Sequence, residues 1–351
     1  MAKTASATDI FPYDDADEPL PHGGDLGAAR RLFPGAPEPF IDLSTGINPN
    51  PYPLPPLSAE IFARLPDAAA TGRLAATAAA CYGVPSVDCV VAAPGTQILL
   101  PLVAGLVRPG RAAILSPTYN EHARAARLAG HGVAAPRELA ALGDADLAVV
   151  TNPNSPDGRL LDKEPLLALA AGLRARGGML VVDEAFMDVG PAGASLAGEI
   201  RGGNIVVLRS FGKFFGLAGL RLGFALADPP LAARLSALLG PWAVSGPASA
   251  VGAQALADAA WIGQTRKRLS DAARRLDRVL VDAGLAIVGG ATLFRLAQTP
   301  AARALFDHLG DAGILVRPFA DHPAWLRFGL PGDEQAWQRL QNAMAEFRVS
   351  Q

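Results

Sequence analysis

Residues 210–224 read Ser-Phe-Gly-Lys-Phe-Phe-Gly-Leu-Ala-Gly-Leu-Arg-Leu-Gly-Phe. They follow Asn204-Ile-Val-Val-Leu208, a β-branched run that predicts a buried strand. The order is therefore strand, then Gly-rich turn, and the turn carries one lysine, Lys213, among apolar neighbours. Loss of solvation favours the neutral amine of a lysine, and the neutral amine is the form that attacks a carbonyl carbon. Arg221 follows within the same Gly-rich stretch. Ser210 and Arg221 together offer a hydroxyl and a guanidinium fork, donors suited to a phosphate. A lysine near a strand end is more often solvated surface; the Ser-x-x-Lys spacing with a following arginine sets this one apart.

An aldehyde-reactive amine beside a phosphate grip is what pyridoxal 5'-phosphate (PLP) requires. The spacing resembles the lysine signature of the fold-type I PLP enzymes, the aminotransferase class I/II superfamily. The resemblance implies an α/β fold, with a large domain built on a mostly parallel, doubly wound sheet and a small α+β C-terminal domain. It also implies a homodimer with active sites that take residues from both subunits.

Composition is compatible with this. The chain has 351 residues, half of them hydrophobic and 18% charged, enough for two domains with a sizeable core. A net charge of −2 gives no electrostatic footprint for nucleic acid or an anionic membrane. Cys81 and Cys89 lack metal-ligand spacing and predict buried, reduced thiols of a cytoplasmic protein. The acidic leader, residues 1–20, predicts a loosely draped segment and no secretory signal. Ile98–Val107 is too short and too broken by Pro101 to span a bilayer.

Taken in order, the chain supplies further parts. His22-Gly-Gly precedes a short helical pattern, Leu26–Phe33, and Phe40–Leu43 predicts a strand. Thr45-Gly-Ile-Asn-Pro-Asn-Pro51 opens a Pro-rich connector that no helix could cross. Helical patterns follow at Ser58–Leu65 and Gly72–Tyr82. Val90-Val-Ala-Ala-Pro-Gly-Thr-Gln97 then reads as strand, Gly turn and the start of the helix Ile98–Val107, and a helix start of this kind cradles phosphate. By resemblance, Gly95, Thr96 and Gln97 bind the PLP phosphate, and Tyr119, after the strand Ala112–Leu115, stacks on the pyridine ring.

Leu147–Val150 predicts a strand, and the following loop, Thr151-Asn-Pro-Asn-Ser-Pro-Asp-Gly158, resembles the family's Asn-Pro-Thr-Gly loop. The family's asparagine binds the cofactor's phenolic oxygen; here Ser155 aligns with it and Asn154 precedes it, so either of these or a water takes the role. Met179–Asp183 predicts a buried strand ending in an acid. An acid at the carboxyl end of such a strand faces the ligand crevice of an open α/β sheet, although an Asp after a strand is also a common helix cap. The resemblance implies that Asp183 pairs with the pyridinium nitrogen. Phe186 stands where many relatives have a second phenolic-oxygen donor, and Leu65 where relatives carry a Tyr that reaches the neighbouring subunit's phosphate.

After Pro241-Trp-Ala-Val244, long helical patterns lead to strand candidates at Leu285–Val288, Thr292–Leu296, Leu315–Arg317 and Trp325–Phe328, with helices Ala301–Asp311 and Asp333–Phe347. The expected organisation is an N-terminal arm over 1–57, a PLP-binding domain over 58–243 and a small domain over 244–351. Arg327 matches the family's carboxylate-gripping arginine, and Arg317 is a second cation nearby in sequence. His308 and His322 read as ordinary surface residues.

His22-Gly-Gly, Ile47-Asn-Pro and Trp242 resemble the threonine-phosphate decarboxylase branch, the cobalamin-pathway members of the superfamily. The implied substrate is a small phosphorylated amino acid, with His22, Gly46, Ile47, Asn48, Arg317 and Arg327 as its contacts. Histidinol-phosphate aminotransferases share nearly every motif and are the main alternative. A PLP-dependent transcription regulator lacks support because its DNA-binding domain has no counterpart here, and a non-catalytic fold is disfavoured by Lys213 and Asp183.

Overall fold

The structure, a computed structural model, describes residues 22–349; the leader expectation for residues 1–20 lies outside them. The chain divides into two compact units. The larger takes Pro51–Ser155 and Arg159–Arg266. The smaller takes the described residues up to Asn50, the three residues Pro156–Gly158, and the chain from Lys267 onward.

The larger unit holds a seven-stranded sheet. From one edge to the other its strands are Val90–Ala93, Gly223–Leu226, Ile205–Ser210, Met179–Asp183, Leu147–Thr151, Arg111–Ile114 and Gly132–Ala134. Only Gly223–Leu226 runs against its neighbours, so the sheet is mostly parallel, as expected. The central strands Leu147–Thr151 and Met179–Asp183 are buried at every position, which is why they read as continuous apolar runs. Their pairing sets Thr151 beside Asp183 and Asp183 beside Leu208, so the strand ends that carry candidate residues lie at the same end of the sheet.

Several helices differ from the sequence reading for local reasons. Ala68–Tyr82 starts a turn before Gly72 because Asp67 caps it, accepting from Ala70 N at 2.6 Å, and it ends at Gly83 with φ +69°. Ser58–Leu65 shrinks to Glu60–Ala63, which buries no side chain and has no side-chain cap; one exposed turn has too little to offset its nucleation cost. Ile98–Val107 contracts to Leu99–Ala104, closed by Gly105. The lysine turn itself contains a helical turn, Phe211–Phe214.

In the smaller unit four antiparallel strands lie in the order Arg317–Pro318, Trp325–Gly329, Phe294–Gln298, Ala286–Ala291. Beside them, Ile41–Asp42 pairs in parallel with Ile314–Leu315. The backbone of Leu43 extends this join, donating to Leu315 O at 2.8 Å and accepting from Gly329 N at 2.6 Å.

Three readings of single residues are corrected. Cys81 is exposed rather than buried. His308 is engaged with the last helix, its Nε2 2.8 Å from Ala343 O. His322 stacks on Trp325 with ring centroids 3.8 Å apart. Both histidines have defined partners because each lies against a neighbouring element rather than in open solvent.

Candidate active site

Ser210 ends its strand and precedes the turn Phe211–Phe214, and its hydroxyl makes no cap to that turn. The turn is fixed by aromatic packing. Phe211, Phe214 and Phe215 are among the most deeply buried side chains. Phe215 stacks between Phe211, at 4.4 Å, and Trp261, at 5.6 Å, while Phe214 meets Trp261 edge-on at 5.5 Å. Tyr52, from the Pro-rich connector, adds its ring at 5.0 Å from Trp261 and donates its N–H to Phe215 O at 2.8 Å. Such pairs add about 0.5–1.5 kcal/mol each beyond area burial. Lys213, on this turn, is half-buried and places Nζ 5.6 Å from the centre of the Phe186 ring.

Four of the phosphate candidates converge around Gly223, the cross-strand partner of Ser210. A Cβ on Gly223 would lie 2.7 Å from Thr96 N, so the Gly95–Thr96 backbone rests directly on it. Gly95 has φ +84°, and a Cβ there would lie 2.4 Å from Arg221 Nη2. The guanidinium therefore covers the space that only a glycine leaves open. Arg221 takes a left-handed backbone, φ 53°, and Nη1 donates to Ala218 O at 3.1 Å. Backbone N–H groups, a hydroxyl and a guanidinium thus gather where the strand Val90–Ala93 ends. That donor set fits a phosphate, and Lys213 three residues from Ser210 fits the aldehyde of the same cofactor.

Asp183 is buried and held at both oxygens: Oδ2 lies 2.9 Å from His122 Nε2, and Oδ1 accepts from Ala185 N at 3.0 Å. Asp183 is not a helix cap: the next helical turn, Met187–Val189, has Phe186 at its cap position, the bond to Ala185 N closes only a local turn, and the His122 contact shows that the carboxylate faces the rest of the site. His122 meets the Tyr119 ring edge-on at 5.9 Å. Tyr119 OH donates to Gln97 Oε1 at 3.1 Å, and Gln97 Nε2 donates to the buried Glu121 at 2.7 Å. Hydrogen bonds thus link Asp183 to His122 and Tyr119 to Gln97 and Glu121, and a ring contact joins the two sets.

Asn154 is fully buried, donating Nδ2 to Pro117 O at 2.8 Å and accepting from Thr118 Oγ1 at 2.7 Å. It braces the loop that carries Tyr119. Ser155 is half-buried at the end of that segment.

The substrate candidates all belong to the smaller unit. Arg317 and Arg327 are directly paired across neighbouring strands. Arg327 Nη2 donates to Ser44 O at 2.6 Å. His22 is exposed and begins a loop pressed onto the same residue: a Cβ on Gly23 would lie 2.6 Å from Ser44 O, and Gly24 N donates to Ser44 Oγ at 2.8 Å. Asp42 steadies Ser44, accepting from its N–H at 2.8 Å and its hydroxyl at 2.6 Å. Gly46 has φ +62°, Ile47 is half-buried, and the buried Asn48 accepts from Asn50 N at 3.0 Å. His22-Gly-Gly is thus a close-approach loop, needing glycine where it crosses Ser44.

Sequence reasoning passed over His122, Tyr52 and Trp261. For His122 a signal existed: with Ala125 and Ala126 it forms an i, i+3, i+4 stripe on the helix Glu121–Leu128, the spacing of a buried face. Tyr52 and Trp261 lie far from the lysine in sequence, and no local pattern joins them.

The chain matches known proteins over most of its length. The aminotransferase class I and II family profile matches residues 62–343. A threonine-phosphate decarboxylase from Pseudomonas aeruginosa is 44% identical over 335 residues, 94% of this chain and 98% of the relative. One from Sinorhizobium sp is 42% identical over 337 residues, 94% of this chain and 99% of the relative. The solved histidinol-phosphate aminotransferase from Sinorhizobium meliloti, in complex with pyridoxal-5'-phosphate, superposes with a TM-score of 0.80 at 22% identity, covering 96% of this chain and 98% of that one.

Proposed function

This chain belongs to the aminotransferase class I and II family, and from that premise we propose that it is a PLP enzyme that decarboxylates L-threonine O-3-phosphate. The products are carbon dioxide and (R)-1-amino-2-propanol O-2-phosphate, a step of cobalamin biosynthesis. The pairing of Arg317 with Arg327 carries the reading: two cations on adjacent strands suit a substrate with two anionic groups, a carboxylate and a phosphate. The two relatives above 40% identity support the same choice over an aminotransferase.

Bound PLP supplies an electron sink for the pair left on Cα when the carboxylate departs. The protein's own groups divide the remaining work. Gly95, Thr96, Ser210 and Arg221 hold the phosphate. Asp183 keeps a proton on the ring nitrogen, and His122 keeps Asp183 aimed. Tyr119 covers the ring face, with Gln97 fixing its hydroxyl. Asn154 already uses its carbonyl and one N–H on the Pro117–Thr118 loop, and Ser155, which aligns with the family's asparagine, is the side chain we assign to the phenolic oxygen. Lys213 anchors the aldehyde carbon and returns a proton to Cα.

Arg327 takes the carboxylate, and Arg317 with His22 takes the substrate phosphate. Holding the substrate at both anions would fix the orientation of Cα and so favour loss of the carboxylate over loss of the hydrogen. Gly46, Ile47 and Asn48 shape the same segment. The reading includes a cytoplasmic homodimer. Exposed Leu54, Phe62, Leu65 and Trp242 in the larger unit support the dimer, and among the described residues no helix is long and apolar enough to cross a membrane.

Product analysis tests the reaction. Threonine phosphate should release carbon dioxide with no 2-oxo acid present, and threonine itself should be a very poor substrate. Amino transfer between histidinol phosphate and 2-oxoglutarate, with no carbon dioxide released, would replace this reading with the aminotransferase one.

A further inference from the structure

A buried ion cluster lies on the far face of the strands that carry Asp183 and Ser210, and the chemistry above does not use it. Side chains alternate along a strand, so Arg209 points away from Ser210, and Glu184, the residue after Asp183, meets it there. Arg209 Nη1 donates to Glu184 Oε2 at 3.0 Å, and Nη2 donates to Asp188 Oδ1. Glu184 is fully buried and also accepts from Leu196 N at 2.7 Å and Ser195 Oγ at 2.6 Å. The Arg209 guanidinium lies over the Tyr82 ring at 4.4 Å. Arg266 joins the cluster to the lysine cage: its Nε donates to Asp188 O at 2.7 Å, and its guanidinium lies 5.9 Å from the Phe214 ring centre.

A buried ion cluster is weak evidence for added stability, because two carboxylates and a guanidinium lose hydration that well-packed apolar groups do not need. Its position points to another role. Glu184 is bonded to Asp183, Arg209 to Ser210, and Asp188 follows Phe186, whose ring lies under Lys213 Nζ. A guanidinium bridging two carboxylates fixes direction as well as distance. We propose that Arg209, clamped between Glu184 and Asp188, is a positioning residue that sets Asp183, Ser210 and the Lys213 turn relative to one another. The proposal rests on the PLP reading of those three residues.

The test is the triple substitution Arg209→Met, Glu184→Gln, Asp188→Leu, with Arg209→Lys alongside. Gln at 184 keeps an acceptor for Leu196 N. The triple variant should melt close to the wild type, because apolar replacement of a buried ion cluster is often neutral in stability. Its kcat on threonine phosphate should fall about 10- to 100-fold, the scale of a roughly 1 Å misplacement, with KM little changed. Arg209→Lys keeps the charge but loses the fork, and it should fold yet remain slow. In both variants the ring signals of His122, the partner of Asp183, should move in the NMR spectrum, with and without cofactor.

Wild-type kcat per folded molecule with an unmoved His122 signal overturns the proposal. So does a kcat loss that disappears once unfolded protein is discounted. If the triple variant does not fold, Arg209→Lys decides by the same two readouts. The His122 signal without cofactor is independent of the substrate turned over. Its failure removes the positioning role alone, whereas absence of carbon dioxide release by the wild type removes the decarboxylase reading alone.

Discussion

Arg317 and Arg327 stand opposite each other across an antiparallel strand pair, two like charges at directly facing positions. Like charges in that arrangement are destabilising. Burial first, and then the Arg317 charge, push the Arg327 guanidinium down to about 9, with Asp42 opposing the shift. On the proposed reading, the substrate's carboxylate at Arg327 and its phosphate at Arg317 would offset both effects.

The pH dependence follows from the sign. The fold disfavours the charged form of Arg327, whereas substrate needs it charged. Affinity for threonine phosphate should therefore hold below about 9 and fall as pH rises through that value, while the substrate-free protein loses a destabilising charge over the same range. KM measured against pH checks this, and a KM that stays flat well past that value contradicts it. Arg327→Gln should weaken substrate binding at neutral pH by more than about 30-fold, since truncating one partner of a buried charge pair costs about 2–5 kcal/mol. Its melting temperature without substrate should not fall, and threonine phosphate should no longer raise it.

Lys213 should carry the cofactor covalently. Borohydride reduction of the purified protein should fix the label on the peptide spanning Ser210–Arg221, and a label on any other lysine ends the assignment. Lys213→Ala should still bind PLP through the phosphate contacts but should not turn over.

The phosphate cradle makes a sharper prediction than a charge deletion alone. Gly95→Ala puts a methyl group where Arg221 Nη2 now lies, 2.4 Å from the new carbon, on a backbone with φ +84°. The left-handed backbone alone costs about 1–2 kcal/mol. Gly95→Ala should lower both stability and PLP retention, whereas Arg221→Ala should lower retention more than about tenfold with little loss of fold. Equal retention after dialysis in all three proteins would place the phosphate elsewhere.

His122→Asn removes the group that lies 2.9 Å from Asp183. A hydrogen bond to a charged partner contributes about 1.5–3 kcal/mol, so kcat should drop by about 10- to 150-fold. Retention of the cofactor, which depends on the phosphate cradle, should change far less. A variant with wild-type kcat would show that Ala185 N alone keeps Asp183 aimed.

Much of this protein was legible in its sequence. The buried strands Leu147–Thr151 and Met179–Asp183 are uninterrupted apolar runs, and such runs have few alternatives in an alternating α/β chain. Lys213, Asp183, Gly95 and Arg221 stand out as candidates in the sequence because each sits at a strand end or turn, where short spacing carries the signal. What only the tertiary structure decided involves groups far apart in the chain. Tyr52 and Trp261 cage the lysine turn from more than a hundred and about fifty residues away, respectively. Asp183 meets His122 across 61 residues, and Arg327 meets Ser44 across 283. Local pattern reports which face a side chain shows and whether a turn can form. Which distant face it meets is settled by packing, and the pairing of Arg317 with Arg327 depends on a register that no single strand encodes.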